Sequence, residues 1–117
     1  ALVATGFGYE ADRRAAQAEL LTKLLPNVRD IRRIGAAALD LCRVAEGTVD
    51  AYFEHGINAW DFAAGAIIAR EAGAVVRHPG FDKGSADGEL TWAAGADLAP
   101  AFEKLLAAHR ATDALRG

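Results

Sequence analysis

The sequence is poor in the residues that carry redox and metal chemistry. It has one cysteine, Cys42, and no methionine among 117 residues. One cysteine cannot form a disulfide within the chain, and no second cysteine or closely spaced histidine pair points to zinc. A small buried apolar side chain is therefore the expected state of Cys42.

Excess positive charge and long apolar runs are also missing. The formal net charge is -3 and the isoelectric point is near 5.5, without the basic surface that nucleic-acid-binding proteins need to collect phosphates. No apolar run approaches the ~20 residues of a membrane span, and no signal segment opens the sequence. We expect a cytoplasmic protein that binds neither nucleic acid nor a membrane.

The residues that are present favour one ordinary folded domain. Half of them are apolar (52%) and a quarter are charged (25%), which suits a globular core, so we predict a single domain over residues 1–117. A strand pattern begins at the first residue with no methionine before it. This pattern favours the interpretation that further sequence lies upstream.

Strand and helix patterns alternate along the chain, with Pro26, Gly47 and Gly73 marking helix ends. The patterns predict strands at 2–5, 28–35, 48–56, 74–78 and 89–95, helices at 11–25, 36–47, 61–73 and 98–110, and a polar loop at 79–88. This order predicts a layered α/β fold with a mostly parallel or mixed sheet and helices on both faces.

Three strand-to-helix junctions, at 5–11, 33–38 and 53–61, are candidate sites because ligands of such sheets bind at the carboxyl ends of strands. In the third junction Glu54 ends a strand and Asp61 begins a helix, so their carboxylates can converge. Mg²⁺ suits such a site. On this pattern alone, Asp61 as a helix cap and Glu54 as a solvated strand end stay open.

The helix that follows Asp61 is rich in small residues. Gly65 lowers helix stability by ~1 kcal/mol relative to alanine, and it lies among Ala63, Ala64 and Ala66. We therefore predict that this helix is mostly buried and approaches a neighbour closely.

The segment "WDFAAGAIIAREAG" at 60–73 resembles the second signature of the inositol monophosphatase family, and residues 32–61 are similar to that family's approach to the signature. The resemblance implies the carboxyl-terminal domain of a sugar-phosphatase-like fold and magnesium-dependent hydrolysis of phosphate monoesters. It also implies a homodimer and a small phosphorylated polyol or sugar as substrate. Members with this signature act on inositol phosphate, fructose 1,6-bisphosphate, histidinol phosphate or nucleotide phosphates.

The resemblance also implies roles for individual residues. Asp61 would be a magnesium ligand, and Glu54 would hydrogen-bond a substrate hydroxyl. Backbone groups of three residues at a helix start would face the substrate: Gly35, Ala36 and Ala37.

Two further parts of the sequence take minor roles in the resemblance. Trp60 would pack as a wall of the site. Residues 4–8 would form a strand and turn near the chemistry but not in it.

The family's other metal ligands are absent from this sequence. They are a lone glutamate and a motif of the type Asp-Pro-(Ile/Leu)-Asp-Gly-Thr, both in the amino-terminal half of family members. We therefore interpret the chain as the second half of such a protein, with no catalytic residue of its own beyond one probable metal ligand. We expect it to be inactive alone.

Two other interpretations compete with this one. "GFGYEA" at 6–11, followed by Asp30 some twenty residues later, matches a loose dinucleotide-binding pattern and predicts a nucleotide-binding oxidoreductase domain. Alternatively, the chain is a non-catalytic regulatory or assembly domain whose exposed strand edges are covered by a partner.

Overall fold

A computed structural model describes residues 1–8, 11–80, 87–111 and 115. Strands and helices follow one another in the predicted order and alternate except between the last two strands. The strands are β1 Leu2–Thr5, β2 Asp30–Arg32, β3 Ala51–His55, β4 Val75–Arg77 and β5 Leu90–Ala94, and the helices are α1 Ala11–Leu24, α2 Ala37–Glu46, α3 Ala59–Glu71 and α4 Ala99–Ala108. A short 3₁₀ turn, Leu25–Asn27, contains Pro26 and ends α1.

The five strands form one mixed sheet in the order β2-β1-β3-β5-β4. β1 pairs in parallel with β2 and β3, whereas β5 runs antiparallel to both β3 and β4. The predicted mixed α/β sheet is therefore confirmed. The sequence predicts a polar loop at 79–88 between the last two strands and connections too long for hairpins, yet β4 and β5 are antiparallel neighbours. Residues 81–86, most of that loop, lie outside the described residues.

Helices cover both faces of the sheet, because side chains alternate between the two faces along each strand. On one face α2 and α3 pack on the sheet through a core of Ala4, Ala37, Leu41, Val44, Tyr52, Phe62, Ala66, Ala69, Val76 and Ala93. On the other face α1 and α4 pack through Val3, Leu20, Leu24, Ala51, Phe53, Trp92, Ala94, Phe102 and Leu106. This is the predicted layered arrangement.

α2 and α3 both end in glycines with left-handed backbone, as the sequence predicts. Gly47 has φ 80° and Gly73 has φ 94°, a region that glycine enters at little cost. After α2 the amide of Thr48 donates to the carbonyl of Arg43 at 3.0 Å, which satisfies a carbonyl that the helix itself leaves open.

Gly65 lets α3 lie against α2. A methyl group at this position would lie 2.9 Å from Leu41 Cβ and 3.3 Å from the carbonyl oxygen of Ala38, closer than side chains normally approach. The predicted close packing is confirmed, and it fixes the start of α3 relative to the start of α2.

The prediction that α3 is mostly buried is wrong. Ile67 is 61% exposed and Ile68 is 48% exposed, because only one side of α3 meets the sheet and α2. Cys42, expected to be buried, is partly exposed on α2. Among the described residues, no helix is both long enough and apolar enough to cross a membrane.

Candidate functional site

A cavity of about 390 Å³ lies at the carboxyl ends of the parallel strands β1, β2 and β3. It lies where α1 and α2, which follow β1 and β2, leave towards opposite faces, the place where ligands bind in sheets of this class. It is lined by Gly6, Phe7, Gly8, Arg33, Gly35, Ala36, Ala37, Ala38, Glu54, Gly56, Ile57, Asn58, Trp60 and Asp61. The three junctions singled out in the sequence therefore meet in one place, although residues 9 and 10 of the first lie outside the described residues.

All five predicted site residues lie in the wall of this cavity: Glu54, Asp61, Gly35, Ala36 and Ala37. Each reaches it because its strand ends there and the chain turns into a helix. Residues 6–8, expected to be near the chemistry, also line the cavity. The assigned roles as metal ligand and substrate contacts stay predictions.

Glu54 is held by its neighbour on the same face of β3. The hydroxyl of Tyr52 donates to Glu54 Oε1 at 2.8 Å, and Tyr52 itself is fully buried. Burial raises the pKa of the Glu54 carboxyl, the bond from Tyr52 and the charge of Arg33 lower it, and Asp61 raises it. Glu54 is thus an oriented acceptor at the base of the cavity.

Asp61 is the third residue of α3, which begins two residues earlier than predicted, at Ala59. Asn58 occupies the capping position without a side-chain capping bond. Within the described part of the chain, the exposed Asp61 carboxylate accepts no hydrogen bond. Its oxygens face a region of positive helix-end potential but are not used to cap the helix.

The amino end of α2 presents backbone donors to the same cavity. Gly35 has φ 94°, Ala36 is the capping residue, and the first helical bond runs from the amide of Asp40 to the carbonyl of Ala36 at 3.0 Å. The amides of the preceding turn have no acceptor inside the helix, so they are available to an anion or a hydroxyl oxygen.

Two lining side chains outside the predicted site residues, Phe7 and Arg33, shape the rim. Two guanidinium groups lie near the Phe7 ring, with Arg14 at 5.8 Å and Arg33 at 5.9 Å from the ring centroid, distances at which cations are attracted to an aromatic face. The second strand ends at Arg32, which carries Arg33 to the cavity.

Trp60 does not pack as a wall in the manner expected, because it is 79% exposed. It nevertheless lines the cavity.

Asp40 also went unnoticed in the sequence, although a signal was present. It is completely buried, and its neighbours in the sequence are Leu39 and Leu41. It lies three residues after Ala37 and four before Val44, which are both core residues. This spacing places it on the apolar side of the helix.

The dinucleotide-binding interpretation is wrong in its geometry. Asp30 pairs with Leu2 at the amino end of the sheet, whereas the loop at 6–8 leaves the carboxyl end. Asp30 also bonds Arg32 at 2.9 Å. An acid at the opposite edge cannot reach the ribose of a nucleotide bound at the glycine loop.

The donor set fits one magnesium ion better than several. No group of three or more histidine, cysteine, aspartate or glutamate side chains that could hold a metal ion occurs among the described residues. Mg²⁺ commonly uses one or two carboxylates, with water and phosphate as its other ligands. Asp61 would supply one such carboxylate in this cavity, which is enough for a single ion.

Comparison with known proteins is consistent with this site. An inositol monophosphatase of Mycobacterium leprae is 65% identical over 79 residues, which cover 68% of this chain and 27% of that protein. The structure of Mycobacterium tuberculosis SuhB matches 97% of this chain and 43% of its own, with 48% identity and a TM-score of 0.84. An inositol monophosphatase structure from Anabaena matches 92% of this chain and 43% of its own, with 34% identity and a TM-score of 0.72.

The chain thus spans less than half the length of the relatives that it matches. A family model described as "Inositol monophosphatase family" matches residues 1–114, nearly the whole sequence. With the three strand ends, the paired carboxylates and the glycine-spaced helices in their expected places, the chain belongs to the inositol monophosphatase family.

Proposed function

We propose that this chain supplies the polyol-binding part of a magnesium-dependent phosphate-monoester hydrolase, with inositol phosphate as the substrate. The observation that carries the proposal is the meeting of Glu54, Asp61 and the amino end of α2 in one cavity. The relative from Mycobacterium leprae is named an inositol-1-monophosphatase, which supports the substrate class. We also propose that the protein acts in the cytoplasm and forms a homodimer.

Each residue has a distinct task in this proposal. Glu54, oriented by Tyr52, accepts a hydrogen bond from a sugar hydroxyl, and backbone amides at the start of α2 donate to another oxygen. Asp61 binds the metal ion through its exposed carboxylate. When bound, magnesium polarises the phosphoryl oxygens and offsets their charge.

The chain alone is expected to be inactive, because one metal-binding carboxylate, Asp61, cannot position the several cations that the family resemblance implies. The test is phosphate release from inositol 1-phosphate with excess Mg²⁺. We expect no turnover from the 117-residue chain and turnover from a protein of the relatives' full length that carries it. Substantial turnover by the 117-residue chain would contradict the proposal that this chain is inactive alone.

A direct test of the metal site uses manganese in place of magnesium. Crystals of the longer protein soaked in Mn²⁺ should give an anomalous peak within bonding distance of the Asp61 carboxylate. An Asp61→Asn crystal treated in the same way is the matched control. If the unsubstituted protein gives no such peak, the assignment of Asp61 fails.

A second candidate function is regulatory or assembly activity on the same scaffold. It is favoured by relatives from Pasteurella multocida and Haemophilus influenzae, 49% and 46% identical, which are named Nus factor SuhB. The two functions are separated by the Asp61→Asn variant of the longer protein. Phosphatase activity needs the carboxylate, whereas an assembly activity is retained without it.

A further inference from the structure

Asp40 is a fully buried acid behind the cavity rather than in its wall. It is 0% exposed, and neither carboxyl oxygen has a hydrogen-bond partner among the described residues. It lies on the side of α2 that packs on β3, the strand that carries Tyr52 and Glu54. No part of the proposed phosphatase mechanism uses it.

An ionised carboxylate in this position would be costly. A buried charge without a partner loses much of its solvation free energy. The amino end of α2 offsets only a small part of this loss, because the helix dipole acts weakly on a single charge. The balance favours the protonated form.

The charged and titratable groups that act on Asp40 come from two parts of the chain. Glu54 and Tyr52 lie on β3, and Arg33 lies in the segment before α2. The side chains of α3 in the same core are apolar, among them Phe62, Ala66 and Ala69. Burial raises the pKa of the Asp40 carboxyl to about 7, Glu54 acts in the same direction, and Arg33 opposes both.

We propose that Asp40 is held as an uncharged acid behind the cavity and that its proton is electrostatically coupled to the charge on Glu54. Asp40 touches no ligand in this arrangement, so it is a positioning residue that acts through Glu54. Because coupling between two sites is reciprocal, a change of charge at Glu54 changes the proton affinity of Asp40, and the reverse. The inference concerns two carboxyl groups of this chain and does not depend on phosphatase activity.

The first experiment is a carboxyl carbon NMR titration of the full chain, with Asp40 assigned from triple-resonance spectra. We expect Asp40 to titrate near pH 7 and the midpoint to fall in Glu54→Gln, which removes the charge and keeps the shape. An Asp40 midpoint near 4 would overturn the proposal. An Asp40 midpoint near pH 7 that does not fall in Glu54→Gln would overturn the coupling.

The second experiment measures the thermal midpoint of unfolding from pH 4 to pH 8 in the full chain and in Asp40→Asn. The folded acid keeps its proton to a higher pH than the unfolded one. Its stabilisation is therefore complete below about pH 4 and is lost as the pH rises to about 7. Asparagine is uncharged throughout, so the variant should equal the parent near pH 4 and exceed it by about 5–15 °C at pH 8.

Asp97→Asn is the control for the thermal experiment, since Asp97 is an exposed acid. It should follow the parent at every pH. Identical pH profiles for Asp40→Asn and the parent would overturn the proposal. If Asp40→Asn does not fold at any pH, the NMR titration of the unsubstituted chain decides.

Discussion

Gly6 lies directly against the carboxylate of Glu54. A methyl group on Gly6 would lie 2.6 Å from Glu54 Cδ and 2.9 Å from Oε2, and it would overlap Oε1. β1 and β3 are neighbouring parallel strands, and the missing side chain at the end of one leaves room for the acid at the end of the other. The orientation of Glu54 therefore depends on a residue nearly fifty positions earlier.

Gly6→Ala should displace Glu54 and break its bond to Tyr52. We expect a loss of about 1–3 kcal/mol in unfolding free energy, the usual cost of leaving a buried polar group, here the Tyr52 hydroxyl, without its partner, measured by urea denaturation. In a Glu54→Ala background the same change should cost much less, because residues in contact are not additive. Gly95→Ala is the control, with nothing within 4 Å of the added methyl group. Equal costs of Gly6→Ala in both backgrounds would refute the contact.

Gly65→Ala should destabilise the chain although alanine is the better helix former. The gain in helix propensity is ~1 kcal/mol, whereas the methyl group meets Leu41 Cβ at 2.9 Å. We expect a net loss of about 1–2 kcal/mol in urea denaturation. Ala64→Gly, an exposed position on the same helix, measures propensity alone. A stabilised Gly65→Ala would show that α2 and α3 are not in close contact.

Asp61→Asn should weaken metal binding by the longer protein. The loss of a direct carboxylate ligand should exceed the ~10–100-fold loss that follows removal of an outer-shell partner. Titration with Mn²⁺, followed by electron paramagnetic resonance, gives the dissociation constants. Glu71→Gln, an exposed acid at the far end of α3, should bind as the parent does. Equal affinities for the parent and Asp61→Asn would disprove the assignment.

His55 should make stability fall on the acid side of neutrality. Its Nε2 donates to the carbonyl of Ala111 at 2.6 Å, and its ring is 1% exposed. Burial lowers the pKa of His55, and the bond to Ala111 opposes this shift. The folded ring therefore resists protonation, so stability is full above the unfolded pKa of about 6.5 and is lost as the pH falls towards the folded pKa.

The test of this prediction is the thermal midpoint between pH 8 and pH 5, measured in the Asp40→Asn background to remove the opposing titration. His55→Gln should flatten the profile, because glutamine does not titrate. His109→Gln, at the turn after α4, should leave it unchanged. A profile that stays steep in His55→Gln would assign the acid loss to another group.

The sequence predicted the elements and the site junctions because their signals are local. Helical spacing, Pro26, Gly47 and Gly73 mark where helices begin and end without reference to the rest of the chain. Glu54 and Asp61 come together because one short loop joins the end of β3 to the start of α3. Since parallel strands end at one edge, the list of strand ends was also enough to place the start of α2 beside them.

The features that escaped prediction depend on contacts between distant segments. Trp60 is exposed because the sheet and α2 take only one side of α3, which no spacing within α3 reveals. The antiparallel pairing of β4 and β5 was hidden because their connection is too long to read as a turn. For Asp40 the helical spacing indicates the apolar side of α2, but its lack of a hydrogen-bond partner among the described residues depends on how α2 packs on β3.

The contrast between the two tryptophans gives this protein a built-in optical signal. Trp60 is 79% exposed at the cavity rim, so an occupant that covers it should move its fluorescence to shorter wavelength. Trp92 is 4% exposed and packs edge-on against Phe102 at 5.9 Å, in the core on the face of the sheet opposite α2 and α3. Its steady emission provides an internal reference against which cavity filling can be followed without any label.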